Sequence, residues 1–364
     1  DGKVVLLGDS VLDNFAWLET PSRPLRVRLE EKLQGPGCVN LAVDQMTTFD
    51  FEERTPSSNS WETYANARAK VDFKDGQDKT YVVDKDGAIR SVENLRRLQD
   101  VSAMVLSLGG NDVYLNSGVR SRLAMSALPG FAEGRREVAL EFGERYRRIV
   151  GALRDAAPDA ALVLVIPYQP HRQFSLIYGA PINEAGERLP ADPVGDAARS
   201  LEQAYLADLV TPMVGQILAV AREVGCPVVD LSRTFDPTVE EHYGTGSIGR
   251  VNELGIAWSG VEPSDASTGF IADLLCHALS QPQRAVVYHG IPRREPQGWS
   301  VLIKEDANDA ILSEDYRFGG SEAAPGGGEA GARASRRYKE EVSPANSLGT
   351  AGWFAIGVAF TVLV

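Results

Sequence analysis

The chain has 364 residues, 43% of them hydrophobic and 24% charged, with a formal net charge of −13. That is enough apolar residue for a sizeable core in one large domain or two ordinary ones. The acidic balance excludes a general nucleic-acid binder, which needs a basic face to neutralise phosphates, and a polybasic membrane-surface module.

No secretory leader precedes the first apolar run, there is no initiator Met, and the first core strand begins at Lys3, so a chain trimmed at its N-terminus is expected. Five short, β-branched apolar runs follow in order: Val4–Leu7, Cys38–Val43, Ala103–Leu108, Ala161–Ile166 and Pro227–Leu231. They lack polar alternation, as strands buried on both faces of a parallel sheet do. Helical spacing lies between them. Leu25, Leu29 and Leu33 recur at every fourth residue in 24–33, with Pro24 suited to the first helical position. Residues 135–156 put Val138, Phe142, Ile149 and Leu153 on one side, and residues 200–224 form a longer helix that Pro212 is expected to kink or split. A last helix, about residues 266–279, points Phe270, Leu274 and Leu275 inward. Strand and helix in alternation predict a layered α/β domain.

Two insertions interrupt this pattern. Residues 46–98 contain TYVVDKDGAIRSV, in which Asp86-Gly87 between β-rich halves signals a hairpin. Residues 172–198 are rich in Pro, Gly and acids and read as a loop. Beyond the last helix, residues 283–318 form an extension whose apolar pieces, 286–291 and 299–303, suggest an added hairpin; residues 319–349 have the composition of a disordered linker. Residues 350–364 end the chain in AGWFAIGVAFTVLV, shorter than the roughly 20 residues of a spanning helix. Three readings stand for this segment: a transmembrane helix whose end is missing, the cleaved tail of a lipid-anchor signal, or a stray apolar terminus. A tether ending in an apolar segment favours the first, and with it a membrane-tethered protein. The three cysteines, Cys38, Cys226 and Cys276, are far apart and beside apolar runs, as small buried hydrophobes are.

In a parallel sheet all strands end on one edge, where sites form. Ser10 follows the first run, Asp44-Gln45 the second, Gly109-Gly110-Asn111-Asp112 the third, Tyr168 and His171 the fourth, and residues 232–242 the fifth. A serine at a strand end needs a base and an oxyanion hole to act as a nucleophile. The Ser10 N–H, an N–H near Gln45 and the Asn111 amide are the donors within sequence reach. Asp9, Asp13, Asn14 and Asp44 are expected to cap local turns. They match no established ligand spacing, so no metal is expected.

GDSVLDN, VNLAVDQMTT and LGGND resemble the first three sequence blocks of the SGNH hydrolases, also called GDSL esterases and lipases, over about residues 3–280. The resemblance implies a flavodoxin-like three-layer α/β/α sandwich with a five-stranded parallel sheet, filling residues 1–282. It implies Ser10 as nucleophile and Asn111 as oxyanion donor, with Gln45 in the place of the family's backbone donor. The family's last block, Asp-x-x-His-Pro before the final helix, carries the general base and the Asp that orients it. Here the corresponding stretch is SGVEP, with Ser259 at the Asp position and Glu262 at the His position. A free Glu has a pKa of about 4.3 and is a poor acceptor for a hydroxyl proton. Burial beside Trp258 and Val261 is expected to raise it by about two units, and a Ser259 hydroxyl to hold it without like-charge repulsion. His277 is read as too far along the last helix to act, and His289 as a surface residue. His171 and His242 remain as alternative bases.

The expected function is a serine esterase needing no cofactor, acting on a small-molecule ester, a lipid or an acylated glycan. Asp9, Gly110, Tyr168 and His171 are expected to line the substrate pocket. A catalytically silent binding module on the same fold is the alternative, and a nucleotide or flavin binder ranks last, because the GGND loop lacks phosphate-binding glycine spacing.

Overall fold

Apolar runs with no polar alternation can only be satisfied by a sheet covered on both sides. In the computed structural model of the chain, which describes residues 2–306 apart from 21, 36, 45, 54–90, 115–118, 120–121, 123–132, 175–188, 191, 245–259, 283 and 294–297, these runs form such a sheet. Its strands are β1 (Lys3–Gly8), β2 (Cys38–Asn40), β3 (Val101–Ser107), β4 (Ala161–Ile166), β5 (Val228–Asp230), β6 (Val286–Arg293) and β7 (Gly298–Asp306). The helices are α1 (Leu25–Leu33), α2 (Thr48–Glu53), α3 (Ser91–Arg96), α4 (Gly110–Tyr114), α5 (Glu133–Ala156), α6 (Pro193–Val224) and α7 (Asp265–Ser280).

The strand order is β2-β1-β3-β4-β5-β6-β7, parallel through β6, with β7 antiparallel. Its first five strands follow the flavodoxin order, whose direction reverses between β1 and β3. Successive strand residues alternate between two apolar layers. Val5, Leu7, Met104, Leu106, Leu162 and Leu164 pack with Phe142 and Leu153 of α5 and Val214 and Ile217 of α6. Val4, Leu6, Val105, Val163 and Val229 pack with Leu25 and Leu29 of α1 and Ile271 and Leu275 of α7. The three-layer α/β/α architecture is thus as expected, but the sheet has seven strands, not five. The run after α7 returns parallel to β5, with Val287 in one apolar layer and Tyr288 in the other. His289 is buried there, against the expectation of a surface residue.

Helix boundaries moved for local reasons. Pro24 caps α1 rather than opening it, and the Asn14 carboxamide oxygen accepts the Leu25 N–H at 3.1 Å. α6 begins at Pro193, inside the expected loop, with Asp192 before it, and continues through Pro212 as one element rather than two. β2 ends at Asn40, whose side chain takes the Ala42 N–H at 3.0 Å and turns the chain. Cys38 and Cys226 are buried, and Cys276 partly so. The hairpin expected around Asp86-Gly87, the linker and the apolar C-terminal segment lie outside the described residues. Among those described, no helix is long and apolar enough to cross a membrane.

Gly8 closes β1 with φ of +118°, and a Cβ there would stand 1.8 Å from the Ser107 carbonyl oxygen. The backbone must take this conformation to bring Ser10 out of the strand. Gly8→Ala is therefore expected to cost at least about 3 kcal/mol in denaturant unfolding. A loss below about 1 kcal/mol would show that the β1 end relaxes freely.

Candidate active site

The site forms where β1 and β3 diverge at their carboxyl ends, the crevice in which open α/β sheets place ligands. Gly8 pairs with Ser107 across the two strands. That pairing continues past the strand ends: the Asp9 N–H donates to the Ser107 carbonyl at 3.0 Å, and the Ser107 hydroxyl returns to Asp9 Oδ1 at 2.9 Å. Asp9 Oδ1 also accepts the Val11 N–H at 3.2 Å, a local turn that lifts Ser10 over the sheet edge. Asp13, in the next turn, accepts Asn40 Nδ2 and the Asp44 N–H, each at 3.2 Å, and so ties the β2 edge to the serine loop. Asp9 caps its own turn, as expected, whereas these bonds of Asp13 reach across to the β2 edge.

On the β3 side, Gly109 has φ of +122°, and a Cβ there would meet the Phe142 ring at 3.0 Å. The turn delivers Asn111, whose Nδ2 donates to the Met46 carbonyl at 3.3 Å. An amide nitrogen carries two protons, so one remains for a ligand. Asp112 is anchored instead by Thr48, through the Thr48 N–H at 2.9 Å and the hydroxyl. Burial raises its pKa to about 6.

Glu262 arrives from the opposite side, three residues ahead of α7. Its loop is fastened by three backbone hydrogen bonds. The His171 N–H donates to the Gly260 carbonyl at 2.8 Å, the Gly244 N–H to the Glu262 carbonyl, and the Ser264 N–H to the His242 carbonyl at 3.0 Å. The last two of these make the isolated antiparallel bridge between Tyr243 and Pro263. Ser264 then caps α7, accepting the Ser267 N–H at 3.2 Å. The carboxyl so placed is buried, accepts a hydrogen bond from Tyr168 Oη at 3.2 Å, and shares the cavity lining with Ser10. Burial raises the Glu262 pKa to about 8; the Ser10 and Tyr168 hydroxyls oppose the rise, while Asp9 and Asp13 add to it. Asp9 itself is raised to about 7, again by burial first, against the pull of Ser107 and Val11.

A cavity of about 380 Å³ opens over this pair. Asp9, Ser10, Gly110, Asn111, Tyr168 and Glu262 line it, so six residues singled out from the sequence meet at one place. Its walls add Trp17, Tyr114, Phe174, Val261, Pro167 and Pro170, and Asp44 is its third carboxyl. The sequence reading had not marked Trp17, Tyr114 or Phe174, and nothing in their local spacing signals a pocket.

His171 is not in the cavity lining. It is buried against the Tyr243 ring, with Nδ1 accepting the Gln173 N–H at 3.3 Å. His242 packs on Trp299 with ring centroids 4.9 Å apart, and its Nδ1 accepts the Asp236 N–H at 3.0 Å. Burial lowers its pKa to about 4. Gln45, Ser259 and Trp258 lie outside the described residues. Among the residues described, no group of three His, Cys, Asp or Glu side chains is placed to hold a metal ion.

No family model matches the chain, and neither does any curated protein sequence. Solved structures similar to it include phospholipase A1 from Streptomyces albidoflavus NA297, at 13% identity and a TM-score of 0.40, over 76% of this chain and 99% of that one. An extracellular lipase from Streptomyces rimosus matches at 11% identity and 0.41, over 76% and 100%. A possible lipase from Chitinophaga pinensis DSM 2588 matches at 17% and 0.38, over 77% and 98%. At such similarity the chemistry has to be argued from the residues of the site.

Proposed function

We propose that the chain is a serine esterase of SGNH type, with Ser10 as nucleophile and Glu262 as its general base. The observation that carries this reading is that Ser10 and the buried Glu262 carboxyl meet in the lining of one largely apolar cavity. The Ser10 oxygen attacks the ester carbonyl as its proton passes to Glu262. The C–O bond to the alcohol breaks, and Glu262 hands that proton to the departing oxygen. Water, deprotonated by the same carboxylate, then releases the acid and restores the serine. The developing oxyanion is held by the Asn111 amide and the Ser10 N–H. Tyr168 takes the part that an orienting Asp plays behind a His base, because a neutral donor steadies a carboxylate where a second carboxylate would repel it. The apolar walls suit a hydrophobic acyl or aryl group.

One observation favours the silent binding module: burial leaves Glu262 largely protonated at neutral pH. A fluorophosphonate probe and a short-chain aryl ester decide between the two. Stoichiometric labelling and turnover above pH 8, both abolished in Ser10→Ala, are expected of the esterase. Absence of both in the parent chain at that pH leaves the binding module.

A further inference from the structure

We propose that the cavity over Ser10 selects esters that carry a compact ammonium group. This rests on the esterase reading and names the substrate class of the same site. Four aromatic side chains, Trp17, Tyr114, Tyr168 and Phe174, share the lining with the carboxyls of Asp9, Asp44 and Glu262. No Lys, Arg or His is among the described residues that line it. Aromatic faces attract cations through the ring quadrupole, most strongly in desolvated sites, and aromatic enclosures are how proteins recognise quaternary ammonium groups. Where they are ionised, the carboxyls among the rings add attraction of the same sign and turn away phosphate and carboxylate groups. The net charge of −13 further raises the local concentration of cationic substrates.

The arrangement also links recognition to activation. Glu262 is surrounded by Ser10, Tyr168, Asp9 and Asp13, and the two acids oppose its ionisation. An ammonium group in the cavity offsets that repulsion, so the bound cation favours the carboxylate that the reaction needs. A neutral ester of the same shape supplies no such help.

The test compares butyrylcholine with 3,3-dimethylbutyl butyrate, in which carbon replaces the charged nitrogen. At low salt, kcat/KM is expected to favour the choline ester at least about tenfold, about 1.4 kcal/mol. The kcat–pH midpoint for the choline ester should lie below that for its isostere. Asp44→Asn and, separately, Phe174→Leu are expected to lower the choline-to-isostere ratio at least about threefold, whatever they do to either absolute rate. Equal kcat/KM for the two esters, or a ratio unmoved in both variants, overturns the proposal and leaves the esterase standing. Quenching of tryptophan fluorescence by tetramethylammonium, abolished in Trp17→Leu, gives a readout without turnover. Quenching with no hydrolysis of either ester keeps the cation site and sinks the esterase. The absence of both quenching and discrimination overturns the cation site.

Discussion

Glu262→Gln is expected to lower kcat/KM for a short-chain aryl ester by about 10²–10⁴-fold, the range general-base catalysis supplies, while the chain still folds. Glutamine keeps the shape of the carboxyl and can accept from Ser10 and Tyr168, but it cannot take the serine proton. The pH profile identifies the base independently. A Glu262 carboxyl raised to about 8 must lose its proton to work, so kcat/KM of the parent should climb through pH 8. A histidine base with an ordinary pKa of about 6.5 would level off more than a unit lower. Tyr168→Phe removes a donor that favours the ionised form, so its midpoint should move further up. An effect of Glu262→Gln smaller than about tenfold, with a profile levelling near pH 7, would transfer the role to another group. Neither His171 nor His242 is placed to take it. His171 is turned toward Gln173 and Tyr243, and His242 is held neutral against Trp299.

The central sheet was legible in the sequence because its strands are buried on both faces. Continuous apolar runs such as ALVLVI, β4, have few other uses in a soluble α/β domain. The last two strands were harder to read. The run at 286–291 is the return arm of a β-α-β unit around α7, but it shares no motif with the earlier blocks, so it was separated from the sheet it completes. The start of α6 was obscured by Pro193 and its acidic neighbours, which signal a loop until the proline is placed in the first helical turn. At the site, the meeting of Ser10 and Glu262 in one cavity was readable from the order of blocks along one sheet edge. The support for Glu262 was not. Tyr168 sits 94 residues away, and the hydrogen bonds from His171 and Gly244 use backbone atoms that no side-chain pattern reveals. Ser259, expected to support Glu262 on chemical grounds, lies outside the described residues, and the tyrosine phenol supplies a neutral donor of the same kind.

The melting temperature is expected to fall by about 10 °C or more between roughly pH 5.5 and pH 9. Three buried acids cause it: Asp112 is raised to about 6, Asp9 to about 7 and Glu262 to about 8. In the unfolded chain each ionises near its ordinary carboxylate value, so between that value and the raised one the folded state binds the extra proton. Stability from these groups is therefore complete below about pH 4 and is lost as pH rises through 6, 7 and 8 in turn. Each unit of displacement is worth about 1.4 kcal/mol, so even a fraction of the combined shift amounts to several kcal/mol. The exposed ion pairs of Glu141 and Glu223 and the half-buried one of Glu52 work in the other direction, holding those carboxyls below their ordinary range. They are solvent-screened and contribute little, so the decline toward alkaline pH should dominate. Glu262→Gln cannot ionise, and it should melt higher than the parent at about pH 9 while matching it at about pH 5.5. A melting temperature that is flat or rising over this interval, or a glutamine variant that follows the parent at both ends, would mean that the three acids are solvated in the native state. The predicted decline places the active protonation state of Glu262 at the weaker end of the stability curve. The site is then ready to react only where the fold bears the cost of a buried charge, or where a bound cation offsets it.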